Sequence, residues 1–130
     1  MKLVGFLREY DSFAAVNLSL KDIRNPTPTD PLLVNKVILY LKQGREFEGL
    51  MDWVSDVEDE SIELGYTAYF TDGTWIWPMY FTYYLTKFND YKIPEEFANY
   101  LMDRDFIFPS LTNEDEKRVS DYFFDNIWGT

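Results

Sequence analysis

Carboxylates are the one class of side chain in this 130-residue sequence with the number and spacing to do chemistry: 23 Asp and Glu stand against 12 Lys and Arg, with no histidine and no cysteine. The missing histidine removes the commonest general base, the commonest metal ligand and every serine–histidine arrangement. The missing cysteine excludes disulfides, thiolate metal sites and thiol nucleophiles. Six serines, at 12, 19, 55, 61, 110 and 120, lie in no Gly-x-Ser-x-Gly setting, and no Gly-rich phosphate loop occurs. Paired acids alone can hydrolyse glycosides, but that reaction needs a deep sugar-binding cleft, which nothing in so short a chain demands. Asp56-Val57-Glu58-Asp59-Glu60 offers oxygen ligands for a cation, yet it lacks the central Gly and terminal Glu spacing of an EF-hand loop. The composition points to a non-catalytic binding protein, with no cofactor and no metal expected.

Charge indicates the kind of partner. A formal charge of −11 is repelled by nucleic acid and by anionic membrane surfaces, so neither is expected as a partner, and a charge-steered partner should be basic. Solubility alone is the competing explanation of the net charge. The distribution is more specific, because positions 46 to 86 contain no Lys or Arg, a run of 41 residues. Six acids, Asp52, Asp56, Glu58, Asp59, Glu60 and Glu63, fall within 12 residues of that run. Such a block is either a solvated loop or, beside the most aromatic part of the chain, a protein-binding face.

The elements that must position these acids can be read from periodicity and caps. After the Asn25-Pro26-Thr27-Pro28-Thr29 loop, Thr29 or Asp30 caps a helix with Pro31 at its first position. Val34, Val37, Ile38 and Leu41 give its buried stripe and Gly44 its stop. Phe47 to Val57 reads as an edge strand passing into the acidic loop. Ile62, Leu64, Tyr66, Ala68 and Phe70 then alternate with Glu63, Gly65, Thr67, Tyr69 and Thr71, a half-buried strand. Asp72-Gly73 predicts a two-residue hairpin turn that pairs Phe70 with Trp75, Tyr69 with Ile76 and Ala68 with Trp77. Trp75 and Trp77 join the Ile62–Phe70 face in the core, and Pro78 ends the strand.

A helix from Met79 to about Phe88 buries Phe81, Tyr84, Leu85 and Phe88. A shorter one opens at Pro94 with Phe97 and Leu101 inward, and a last one starts near Thr112, where Thr112 and Asp115 resemble a capping box. That last helix buries Val119, Tyr122, Phe123 and Ile127. Tyr80 and Tyr83 fall off the buried stripe of their helix and Tyr69 lies on the outer hairpin face, so these three are the tyrosines expected at the surface. The first 25 residues are ambiguous between helix and strand, apart from a helical turn at Ser19–Ile23. The reading is a single α+β domain over residues 1–130: a small antiparallel sheet, with a hairpin over about 62–77 and an edge strand, against four or five helices. Met1–Arg8 is broken by charge too early for a secretory signal, and no apolar stretch approaches the roughly 20 residues that span a bilayer, so a cytoplasmic placement is expected.

The stretch Tyr69-Phe70-Thr71-Asp72-Gly73-Thr74-Trp75-Ile76-Trp77-Pro78, with Tyr84 and Ile93-Pro94-Glu95-Glu96-Phe97, resembles a family of small acidic bacterial proteins that share a TDG-x-W-x-W-P hairpin. Gly5–Asp11 and Tyr40–Gly44 extend the likeness over most of residues 1 to 103. Several such proteins look like immunity partners of polymorphic or contact-dependent toxins. The resemblance implies an inhibitor that binds a cognate toxin with a basic active surface, through candidate residues Asp52, Asp56, Glu58, Asp59, Glu60, Glu63, Tyr69, Tyr80 and Tyr83. Two other functions stay open on sequence: a scaffold or homodimeric adaptor, and a carboxylate-based enzyme or small-molecule binder.

Overall fold

Asp30 sits at the start of the first helix, α1 (Pro31–Leu41), and its carboxylate accepts the Leu32 N–H, closing one of the donors a helix start leaves open. The computed structural model describes residues 1–130. The remaining elements are β1 (Lys2–Leu3), β2 (Arg45–Ser55), β3 (Glu63–Thr71), β4 (Trp75–Pro78), α2 (Tyr80–Lys87), α3 (Glu95–Asp103) and α4 (Asn113–Asn126), with a 3-10 turn at Leu20–Asp22. Thr112 caps α4 by accepting the Asp115 N–H, while the Asp115 carboxylate accepts the Thr112 N–H, the reciprocal box that the sequence predicts. No helix is long and apolar enough to cross a membrane.

The fold is α+β, but its sheet is mixed where an antiparallel one was expected. Strand order is β1-β4-β3-β2, and β1 runs parallel to β4 with Lys2 opposite Trp75 and Leu3 opposite Ile76. The Lys2 N–H reaches the Thr74 carbonyl and the Val4 N–H that of Ile76, so two residues are enough to close this edge. The turn between β3 and β4 is also wider than Asp72-Gly73 predicts, because Thr71 pairs with Ile76, Phe70 with Trp77 and Tyr69 with Pro78. Side chains account for the difference. The Asp72 carboxylate accepts the N–H groups of Thr74 and Trp75, and the Thr71 hydroxyl accepts that of Gly73 while donating to the Trp75 carbonyl. The register moves by two residues, so every side chain keeps its expected face.

Both faces of the sheet are covered where β3 meets β4. Trp75 and Trp77 face a core built from Val34, Val37, Tyr40 and Leu41 of α1, Phe81, Tyr84 and Leu85 of α2, and Phe97 and Leu101 of α3. Between them, Ile76 points the other way, to a second core with Phe6, Phe13, Val16, Tyr69, Val119, Phe123 and Ile127. Each fully buried large side chain contributes about 2 to 3 kcal/mol. Gly5 lets the N-terminal segment cross this architecture: it has φ +79, and a Cβ there would lie 2.3 Å from the Phe81 ring.

The β2–β3 hairpin outruns its cover. β2 has 11 residues, roughly 36 Å of strand, whereas α2 has 8 residues, about 12 Å of helix. Ile62 and Tyr66, expected in the core from alternation, are therefore largely exposed.

Candidate partner-binding surface

Of the six acids concentrated between positions 52 and 63, Asp52, Glu58, Asp59, Glu60 and Glu63 are exposed, while Asp56 is 1 % exposed. Asp56 follows the last residue of β2 and its carboxylate is fully engaged. One oxygen accepts the N–H groups of Glu58 and Asp59, and the other accepts the Tyr83 hydroxyl at 2.5 Å and the Lys87 ammonium at 2.7 Å. Burial alone would raise the Asp56 pKa. The bonds from Lys87, Tyr83 and the Glu58 amide, with the Lys87 charge, outweigh it and hold the group at about 2. Its partners shift the opposite way: the bond to Asp56 pushes the Tyr83 phenol up to about 12 and raises Lys87. The Tyr84 hydroxyl accepts the Val57 N–H and bonds to Tyr10, whose hydroxyl also reaches the Ser55 carbonyl. The acidic loop is thus moored to α2, Glu58 also meeting Lys87 and Asp59 accepting from Ser61, and all three of its other carboxylates are on exposed residues.

This arrangement corrects three sequence expectations. Asp56 is a structural anchor with no free oxygen for a partner. Tyr69 and Tyr80, expected at the surface, are 1 % and 3 % exposed. Their hydroxyls donate to the two oxygens of Asp11 at 2.6 and 2.7 Å, and the Tyr80 oxygen accepts the Leu7 N–H. The outer hairpin face was expected to be open to water, but α4 and the N-terminal segment cover it. Tyr83 is half-buried and committed to Asp56. Burial, opposed by the two tyrosine bonds, raises the Asp11 pKa. A third carboxylate follows the same plan, Asp72 accepting from the hydroxyls of Tyr40 and Tyr100. Tyrosine-rich composition in this chain therefore serves buried aspartates, whose desolvation is offset by paired phenols.

Other aromatics occupy the exposed hairpin. Trp53 is 69 % exposed and Met51 96 %. Trp53 lies opposite Tyr66, so the two share the face toward α1 and α2. Between Gly49, opposite Ala68, and Trp53, β2 holds three residues where β3 holds one, a bulge that throws Met51 outward. Tyr66 leans over Gly49 and donates to Glu46 at 2.6 Å, and a Cβ on Gly49 would lie 3.1 Å from its ring. The one available sequence signal was the length of this strand relative to the helices that must cover it.

The hairpin and its loop thus expose the carboxylates Glu46, Asp52, Glu58, Asp59, Glu60 and Glu63 together with the large apolar side chains Met51, Trp53, Ile62 and Tyr66. Large apolar side chains accompanied by like charges suit recognition of a protein carrying the opposite charge. No protein-family profile, curated protein or solved structure matches this chain.

Proposed function

We propose that this chain is a non-catalytic, immunity-type inhibitor that neutralises a cognate toxin domain by presenting the β2–β3 hairpin to a basic surface of that toxin. The observation that carries it is the concentration of five exposed acids of the 52–63 segment on the same hairpin as exposed Trp53 and Met51, in a strand longer than the α2 helix beside it. Toxins that cut nucleic acid hold phosphates on basic surfaces, so an acidic face associates quickly with them and occupies the place of the substrate. Inhibition by occupation needs tight binding and no chemistry. It also needs a preformed epitope, and the mooring of Asp56 to Tyr83 and Lys87 holds this loop in one arrangement before a partner arrives.

The test is co-expression with the product of the gene immediately upstream, scoring growth rescue and co-purification. Rescue with a stable complex is the expected result. Absence of both rescue and complex overturns the inhibitor function and leaves a solvated hairpin on a scaffold protein.

A further inference from the structure

Beside the exposed hairpin, an open cleft of about 180 Å³ runs between the end of α1 and the start of α2, lined by Leu41, Lys42, Phe70, Trp77, Met79 and Thr82. Its floor is β3: Phe70 lies opposite Glu46 and on the same face as Tyr66, whose hydroxyl bonds that glutamate. Met79 walls the cleft toward the hairpin, its methyl 3.2 Å from where a Gly65 Cβ would stand. The apolar cleft thus adjoins the hairpin face that carries Glu46 and Tyr66.

We infer that this cleft receives a single large apolar side chain from a basic segment of the partner, while a flanking Lys or Arg of that segment meets Glu46 and others meet the exposed carboxylates of the hairpin beyond it. Charge selects the occupant. A second copy of the chain would bring −11 against −11, whereas a basic segment is attracted by the net charge and by Glu46 at the cleft, with its own cations held away from Lys42 on the α1 side. The bulges in β2, at Glu46/Glu48 and Gly49/Trp53, interrupt its outer edge and disfavour strand addition there, which leaves the face as the docking route. The cleft volume matches one leucine-to-phenylalanine-sized side chain. An anchor residue in a pocket beside a charged rim is how small interfaces concentrate their affinity.

The proposal rests on the inhibitor function above, and its test is read separately. The probes are a short Lys/Arg-rich peptide with one central leucine and the same peptide with alanine there. Each is titrated into the intact protein while the Trp77 and Trp53 indole N–H resonances are followed. The leucine peptide is expected to bind about tenfold more tightly and to shift both indoles. Thr82→Phe, which fills the cleft from its rim, should erase the leucine advantage while leaving the alanine peptide's affinity unchanged. Equal affinities for the two peptides, or a leucine advantage that survives Thr82→Phe, overturns the cleft, as does an unmoved Trp77 indole. None of those outcomes alters growth rescue by the wild-type chain, so the inhibitor function stands or falls on its own experiment.

Discussion

Lys87 places its ammonium 2.7 Å from the buried Asp56 carboxylate and 3.1 Å from that of Glu58, and it is the first basic residue after position 45. One cation at the end of α2 therefore anchors a loop that carries three other acids, Glu58, Asp59 and Glu60. Lys87→Met leaves Asp56 with the Tyr83 hydroxyl and two backbone donors but without a countercharge, at an expected cost of about 2 to 3 kcal/mol. Lys117→Met breaks the exposed Lys117–Asp121 pair and should change stability by less than about 0.5 kcal/mol. Urea unfolding of the two variants checks the contrast, and equal losses would remove the anchoring role of Lys87.

The same contact makes a pH prediction with a definite sign. Asp56 has its folded pKa lowered to about 2, against an ordinary value near 4, so it contributes stability that is fully present above about pH 4. That contribution, about 2 kcal/mol, is lost as pH falls from about 4 to about 2. Unfolding measured across this range should show a loss of that size in the wild type and a distinctly smaller one in Asp56→Asn. Identical slopes would show that the Asp56 carboxylate is not held by these bonds.

Asp11 titrates in the opposite sense. Burial raises its folded pKa, so the stability linked to it is full below the unfolded value near 4 and is lost as pH rises through the folded one. Asp11→Asn keeps the shape, removes the titrating group and leaves one tyrosine hydroxyl without its acceptor. It should therefore be more destabilising at pH 3 than at pH 7, relative to wild type. Denaturation midpoints at the two pH values decide it, and a larger penalty at pH 7 would mean that the tyrosine bonds dominate burial.

The parts of the fold legible in the sequence are those fixed by local chemistry. Asp30 with Pro31 and Thr112 with Asp115 mark helix starts through bonds that span three residues or fewer. The faces of Phe70, Trp75 and Trp77 followed from alternation and survived a register shift of two. What escaped were facts about distant segments. Burial of Tyr69 depends on α4, more than 40 residues later, and that of Tyr80 on Asp11, 69 residues earlier. Periodicity describes one element and carries no record of which faces a second layer will cover. Trp53 and Met51 were missed for the complementary reason, since their exposure reflects missing cover and a bulge set by the partner strand.

Trp53 and Tyr69 separate binding from folding. Trp53→Ala removes a large exposed ring from a strand, so stability should change by less than about 1 kcal/mol while affinity for the cognate toxin falls at least tenfold. Tyr69→Phe leaves a buried Asp11 oxygen without its hydroxyl donor and should cost about 1 to 3 kcal/mol of stability with affinity unchanged. Unfolding and binding measured on both variants form a crossed pattern. Trp53→Ala binding as tightly as wild type would remove the hairpin face from the interface.

Charge on the hairpin should act mainly through the association rate. Asp52, Glu58, Asp59, Glu60 and Glu63 are exposed and lie outside the buried network, so converting them together to Asn and Gln leaves the Asp56 anchor intact. Two members are engaged: Glu58 meets Lys87 in a partly exposed pair of small worth, and Asp59 accepts the Ser61 N–H and hydroxyl, bonds that an Asn oxygen can keep. Stopped-flow association with the toxin at low salt should slow by about tenfold or more in this variant, with a much smaller change in dissociation. At about 0.5 M salt, where the screening length is only a few ångströms, wild type and variant should converge. A deficit that persists undiminished at high salt would mean that these acids make close, desolvated contacts in the complex, and a rate unchanged at low salt would place the toxin on another face of the molecule.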